Sequence, residues 1–343
     1  MPISTLRDVA RDCGVSSATV SNVLNNTSRP VHARTRARVL EAVKRLNYYP
    51  NAMARGLQGQ RLHMIGILFG VIEPEIITNP YAAQIVKGIF AAAADQGYNV
   101  VFWTSRWKSA EASAAALRDR RVDGYIVLAP TLDSDIVGGV ASYGIPQVVI
   151  SSRYVPEGVA YADVDNRAGL RIATEHVIAL GHTRIAHIGG DVGQPSVADR
   201  RQGFYDAMLS ANLPVPPGYD IDSWYMVEEC KPQVRALLQL PRRPTAIVTG
   251  SDNIAVGILQ VAQEMGIAVP EQLSVTGFDD IPPATLVTPQ LTTVRQPLSE
   301  IGEHATQMLI SRIEETSRPP EKWVAQPELV IRGSTGPVPN DIQ

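Results

Sequence analysis

The stretch LRDVARDCGVSSATVSNVLN, residues 6–25, decides how the first part of the chain folds. Thr5 and Asp8, just at its edge, stand at the spacing of a capping box, in which a hydroxyl and an acidic side chain three residues on satisfy the first free backbone donors of a helix. Leu6 to Ala10 then opens that helix and Gly14 closes it. Ser16 is placed to cap a second helix, along which Val20, Val23 and Leu24 recur at the spacing that buries one face. Ser17, Ala18, Ser21 and Asn22 are left on the other face. A helix-turn-helix needs such an element, with short polar side chains in its first turn and an apolar side packed on the preceding helix. Asn22 stands out because an amide can both donate to and accept from an adenine edge in the major groove.

Taken alone, that face reads equally well as a solvated helix surface, and charge separates the two readings. Through Arg61 the chain has ten basic and three acidic residues, a formal +7, whereas everything after it carries 21 basic and 31 acidic residues, a formal −10. The overall −3 therefore conceals a basic head on an acidic body, and only the head is expected to meet phosphates.

Beyond the second helix lie TRARVLEAVKRLNY, a third helix, and YPNAMARGL, residues 49–57. Together with LRDVA and GVSSATVSNVLN these motifs make residues 3–57 resemble the DNA-binding headpiece of the lactose and galactose repressor (LacI/GalR) family. The resemblance implies that the second helix enters the major groove and that YPNAMARGL forms a hinge helix in the minor groove. It assigns DNA contacts to Thr5, Leu6, Ser16, Ser17, Ala18, Thr19, Ser21, Asn22, Asn25, Arg29, Asn51, Ala54, Arg55 and Leu57. Asn22 departs from relatives that often carry arginine there, which alters the base expected at that point of the half-site.

The hinge has a physical logic of its own. Pro50 suits a first helical turn, but a helix of roughly eight residues falls well below the ~12 to 15 needed for marginal stability alone, and Gly56 weakens it by about 1 kcal/mol. Such a segment is expected to order only against a twin and a duplex, with Leu57 as an apolar wedge at a central base step.

At 343 residues with 45% hydrophobic content, the chain is long enough for more than one core. No apolar run approaches a membrane span and the N-terminus lacks a signal-peptide apolar segment, so a cytoplasmic location is expected. Cys13 and Cys230 are the only cysteines and lie far apart without metal-ligand spacing; no cofactor or metal is expected. His182 and His187 read as packing residues.

From His63 onward, short β-rich runs alternate with amphipathic helices, the pattern of parallel sheets in α/β layers. Strands are expected at 64–70, 98–104, 124–129, 146–151, 184–189, 245–250 and 273–278. Helices are expected near 80–96, 109–120, 166–181, 197–211, 252–265 and 298–315. The run is too long for one compact sheet and implies two lobes with a cleft at the carboxyl ends of their strands. The expected organisation is an all-α headpiece over 1–48, a hinge over 49–62 and an α/β body over 63–343. Within the body, a first lobe takes about 63–162 and 293–320, and a second takes about 163–290 and 321–335.

The resemblance continues through DNRAGLRIATEHVIALGH, DRRQGFYDAM, RPTAIVTGSDNIAVGIL, VTGFDD and LTTVRQP, which are similar to the regulator body, a fold shared with periplasmic sugar-binding proteins (type I). It implies a small effector, usually a sugar or sugar phosphate, and a homodimer on a pseudo-palindromic operator. Asp279, just after LSVTGF, can accept two sugar hydroxyl bonds at once. Arg200 offers a rigid fork of donors for vicinal hydroxyls or an anion. Tyr81, Ser196 and Ser251 follow, then Asn79 and Asp165. The family often places an aromatic against the ligand near 224–230; Cys230 holds the apparent position, leaving Trp224 as a candidate lining or core residue. Trp103 and Trp107 read as either cleft mouth or packing.

Two other readings compete. Ser105-Arg106-Trp107-Lys108 matches S-x-x-K and Ser251-Asp252-Asn253 matches S-D-N, two marks of serine β-lactamases, but the third, K-T-G, is absent from the chain. IGGDVG lacks the dinucleotide-turn spacing, and no P-loop, G-x-S-x-G or H-E-x-x-H occurs. A transport-type solute-binding protein would share the two-lobed body but has no use for a basic headpiece. The expected function is a sugar-controlled repressor rather than an enzyme.

Overall fold

The computed structural model describes residues 4–24, 30–49, 61–70, 78–225 and 227–339. Two compact units divide between Leu62 and His63.

The first unit holds three helices: α1 (Leu6–Asp12), α2 (Ser17–Leu24) and α3 (Ala33–Arg45). The capping box at the start of α1 is complete. The Asp8 amide donates to Thr5 Oγ1 at 3.3 Å, and the Thr5 amide donates to an Asp8 carboxylate oxygen at 2.9 Å. A bond from the Thr5 hydroxyl to the Asp8 carboxylate at 2.6 Å, together with the one from the Thr5 amide, holds that carboxyl below its usual range. Gly14 sits at φ +57°, the left-handed conformation that lets the chain leave α1 without a Cβ penalty. Ser16 Oγ accepts from the Thr19 amide at 3.1 Å and thus starts α2. Val9, Ala10, Cys13, Val20, Val23, Val39, Ala42 and Tyr48 form the core where the helices meet. Such a small core leaves little margin, which makes each cap matter.

The second unit begins with β1 (Met64–Phe69), α4 (Pro80–Asp95), β2 (Asn99–Phe102), α5 (Ala110–Leu117), β3 (Gly124–Leu128), α6 (Ile136–Ser142), β4 (Gln147–Ile150) and β5 (Ala160–Val164). It continues with α7 (Asn166–Ala179), β6 (Ile185–Ile188), α8 (Pro195–Ser210), β7 (Asp220–Ile221), α9 (Val227–Leu238), β8 (Ala246–Thr249), α10 (Asp252–Glu264), β9 (Ser274–Asp279) and α11 (Pro283–Leu286). Last come β10 (Thr292–Arg295), α12 (Leu298–Glu314), β11 (Lys322–Ala325) and β12 (Glu328–Val330).

Two six-stranded sheets result, in the orders β11-β5-β4-β3-β1-β2 and β12-β10-β9-β8-β6-β7. Every pairing is parallel except β10 with β12. The central strands β3, β4, β6, β8 and β9 are buried along their whole length, as sheets covered by helices on both faces require.

The allocation of the C-terminal strands needs correcting. β10, expected in the first lobe, pairs with β9 in the second sheet, whereas β11, expected in the second, pairs with β5 in the first. β5 itself extends to Val164 and belongs to the first sheet. The reason is that the chain crosses between lobes three times, after β5, after β10 and after β11, so each lobe is assembled from separated segments. Short edge strands such as β7, β11 and β12, and the short helices α6 and α11, carry too little periodicity to be legible in the sequence, and α9 is interrupted by Pro232.

The returning helix α12 packs along α4 and over β3, β4 and β5. Glycines permit this closeness: a Cβ on Gly88 would lie 1.9 Å from the Ser299 carbonyl oxygen, and one on Gly302 would lie 2.2 Å from that of Ile85. The helix pair α7 and α8 in the second lobe repeats the device, with Gly203 against the Arg167 carbonyl.

Candidate functional site

Because both sheets are parallel apart from β12, the other strands end together at one side of each lobe, and the two sides face across a cavity of about 580 Å³. That volume lies within the usual range of small-molecule sites. Phe69, Leu128 and Ala129, and Ser151 line it from the ends of β1, β3 and β4, together with Asn79, Tyr81 and Ala82 from the start of α4. Across from them stand Asp191, Gln194, Ser196 and Arg200 around the start of α8, Trp224, Tyr225 and Glu229 around the start of α9, Ser251 and Asn253 after β8, and Asp279 closing β9.

Seven of the eight residues expected to contact an effector therefore line one cavity: Asn79, Tyr81, Ser196, Arg200, Trp224, Ser251 and Asp279. Asp165 does not. Its carboxylate accepts from the Ala168 amide at 3.1 Å and caps α7, a use that an aspartate just before a helix readily finds. Asn79 and Ser251 cap α4 and α10 in the same way while still facing the cavity.

Arg200 and Asp279 form the buried centre. The guanidinium lies over the Phe278 ring at 3.9 Å and 3.6 Å from Asp279 Oδ1. Its Nε donates to Asn166 Oδ1 at 2.8 Å and a terminal nitrogen donates to the Gly250 carbonyl at 2.5 Å. Asp279 accepts from Gln296 Nε2 at 2.7 Å. Burial pushes its carboxyl up to about 6, with Arg200 and the Gln296 bond pulling it back. The backbone at Asp279 has φ +118° and at Asp280 φ +56°, a strained strand end of the kind found where a side chain must be aimed at a ligand.

This centre is tied to the lobe crossings. Asn166, which takes the Arg200 bond, begins α7 just past the first crossing and donates to the buried Asp163 of β5 at 3.3 Å. Asp163 is likewise raised to about 6 by burial. Gln296, the partner of Asp279, lies in the second crossing.

On the opposite wall, Tyr81 and Ser151 share a hydrogen bond of 2.5 Å, and burial drives the tyrosine hydroxyl well above its ordinary range. Tyr225 is half-buried as a residue, but its hydroxyl end reaches inward beside Ser196 and is raised to about 12 for the same reason. Tyr225 places a second ring on the cavity wall, one residue after Trp224, which is 56% exposed at the mouth. Cys230 instead faces the core, where a Cβ on Gly257 would strike its sulfur. Trp103 and Trp107 are packing residues: Trp103 lies edge-on to Tyr125, and Trp107 Nε1 donates to Asp135 at 2.6 Å. Sequence reasoning misses Phe69, Ser151 and Asp191 although each closes or follows a legible strand, and it misses Glu229 because the helix that carries it is not legible.

In the first unit, Ala18 is exposed and Ser17, Thr19, Ser21 and Asn22 are half-buried along α2. The Thr5 and Ser16 hydroxyls are engaged as caps, and Leu6 packs on the core. Asn25, Arg29, Asn51, Ala54, Arg55 and Leu57, and with them the hinge segment, lie outside the described residues. Among the described residues no group of histidine, cysteine and acidic side chains is arranged to hold a metal, and no helix is long and apolar enough to cross a membrane.

Comparison with known proteins bears on both units. Residues 5–51 match the model for bacterial regulatory proteins, lacI family, and residues 174–335 match that for a periplasmic binding protein-like domain. The ribose operon repressor of Escherichia coli K12 is 34% identical over 335 residues, covering 97% of this chain and 100% of the relative. The chain belongs to the LacI family of bacterial regulatory proteins. The HTH-type transcriptional repressor PurR of Yersinia pestis is 32% identical over 98% of both chains. Among solved structures, the lac repressor dimer bound to operator and the anti-inducer ONPF superposes with a TM-score of 0.82 at 27% identity, covering 98% of this chain and 100% of that one. This LacI-family member is thus a DNA-binding transcriptional regulator, with a helix-turn-helix domain and a two-lobed body.

Proposed function

We propose that the protein is a homodimeric, cytoplasmic repressor of carbohydrate-utilisation genes, that α2 reads the operator, and that a small polyhydroxylated molecule in the cavity controls its grip. The observation that carries the effector reading is the Arg200–Asp279 centre, which offers a carboxylate and aligned donors to hydroxyls and is hydrogen-bonded to both Asn166 and Gln296 at the lobe crossings. An effector that engages this centre differently in two closure states shifts their populations, and that shift changes whether two hinges can fold together on the operator. Dimerisation follows from the reading unit itself, since one headpiece spans a half-site. Names of the relatives, a ribose operon repressor among them, support the carbohydrate reading.

The protein acts as a binding switch and not as an enzyme. Ser251 and Asn253 of the S-D-N triplet line the cavity, but Ser251 serves as a helix cap and neither Ser105 nor Lys108 lines it. A gel shift on palindromic DNA with and without candidate sugars, run beside a nitrocefin turnover assay, tests the whole reading. A sugar-sensitive shift without turnover is expected; turnover, or failure to shift any pseudo-palindrome, would overturn it.

A further inference from the structure

The charges around the cavity are unbalanced. Among the described lining residues, Arg200 is the one cationic side chain, against three carboxylates: Asp191, Glu229 and Asp279. Arg200 is also heavily committed, with one nitrogen donating to Asn166 and another to Gly250 while Asp279 sits 3.6 Å away. A two-pronged grip on a phosphate or carboxylate through its remaining donors would bring the anion beside Asp279. The starts of α4, α8, α9 and α10 all face the cavity, but each carries a partial positive charge of only roughly one half. Those of α4 and α10 are capped by Asn79 and Ser251, and that of α9 is offset by its own Glu228 and Glu229, so they make no cationic site beside Asp191 and Asp279.

We infer that Asp191 and Glu229 determine specificity by charge, so that the effector is an uncharged polyhydroxylated molecule, and phosphorylated or carboxylated forms of the same sugar are rejected. The inference rests on the cavity being the effector site. Asp279 and the Arg200 donors meet hydroxyls, the Tyr225 and Phe69 rings meet C–H faces, and Trp224 extends that apolar wall at the mouth. Asp191 already bends its own loop by accepting from the Gly193 amide at 2.9 Å, which fixes its charge at the rim. Glu229 is exposed, so its part of the repulsion is screened by salt whereas the buried Asp279 part is not.

The full-length protein is titrated by calorimetry with ribose, glucose, galactose and cellobiose, and with the phosphate ester and, where it exists, the uronate of each. At least one neutral member should bind, about tenfold or more tighter than its anionic forms. The double variant D191N/E229Q keeps an acceptor oxygen at both positions, so the turn bond to the Gly193 amide can persist without the charge. In it that ratio should shrink severalfold. In wild type, raising the salt should narrow the ratio in part. An anionic form binding as tightly as its parent overturns the inference, as does an unchanged ratio in the variant or silence from every neutral sugar. A parallel gel shift keeps the outcomes separable: operator binding with no neutral-sugar binding sinks only the charge assignment, whereas loss of operator binding sinks the regulator reading itself.

Discussion

Asp279 concentrates the consequences of burial. Its carboxyl titrates near 6 because little water reaches it, and sugar hydroxyls donate best to its ionised form. Effector affinity should therefore fall as the pH drops below about 6, a trend that titrations between about pH 5 and 8 would reveal. Asp279→Ala should retain operator binding in a gel shift and lose the response to effector; an unaltered response would place the pocket elsewhere. Folding carries the opposite face of the same shift. Asp163 and Asp279 are raised from 3.8 to about 6, so each binds its proton more tightly in the folded protein. The stability they contribute is full below about 3.8 and is lost as the pH rises through about 6. Each contributes on the order of 3 kcal/mol at most. Asp163→Asn should flatten the denaturation midpoint across that window, and an unchanged slope would count against the buried carboxyl.

At the scale of elements, the close approach of α4 and α12 sets the position of the first cavity wall, because α4 starts at Asn79 and Tyr81. Gly302→Ala should force the helices apart and cost about 1 to 3 kcal/mol by urea denaturation, with a weaker effector response. A loss confined to a few tenths of a kcal/mol would mean that the helices slide freely. Elements also show where sequence reading succeeds. The capping box at Thr5, the Ser16 cap and the buried strands β1, β3, β4, β6, β8 and β9 are legible because each is written locally, in hydrogen-bonding residues at fixed offsets or in short runs rich in apolar and β-branched residues. Tyr225 and Glu229 are not, since Tyr225 precedes α9 and Pro232 within that helix speaks against the helical spacing of Cys230, Val234, Leu237 and Leu238. Nor is the partner of β11, because pairing across some 160 residues leaves no local trace.

For the molecule as a whole, the split between a +7 head and a −10 body predicts that operator affinity falls steeply with salt and that the body contributes no attraction of its own. Leu57→Ala should weaken operator binding far more than binding to non-specific DNA, measured as competition gel shifts at one salt concentration. Equal losses would argue against a wedge. Seven cavity residues are reachable from sequence because a resemblance spread along the whole chain places them at strand ends; the bonds that join them to the lobe crossings become visible only once distant segments have been brought together.

The three lobe crossings have a consequence for how the protein is made. A ribosome completes the headpiece early, yet neither half of the body can close its sheet until the stretch from Thr292 to Val330 has emerged. A premature stop codon near the 3′ end of the message would thus strip an edge from both halves at once. What it would leave is a reader of DNA whose governor was never finished.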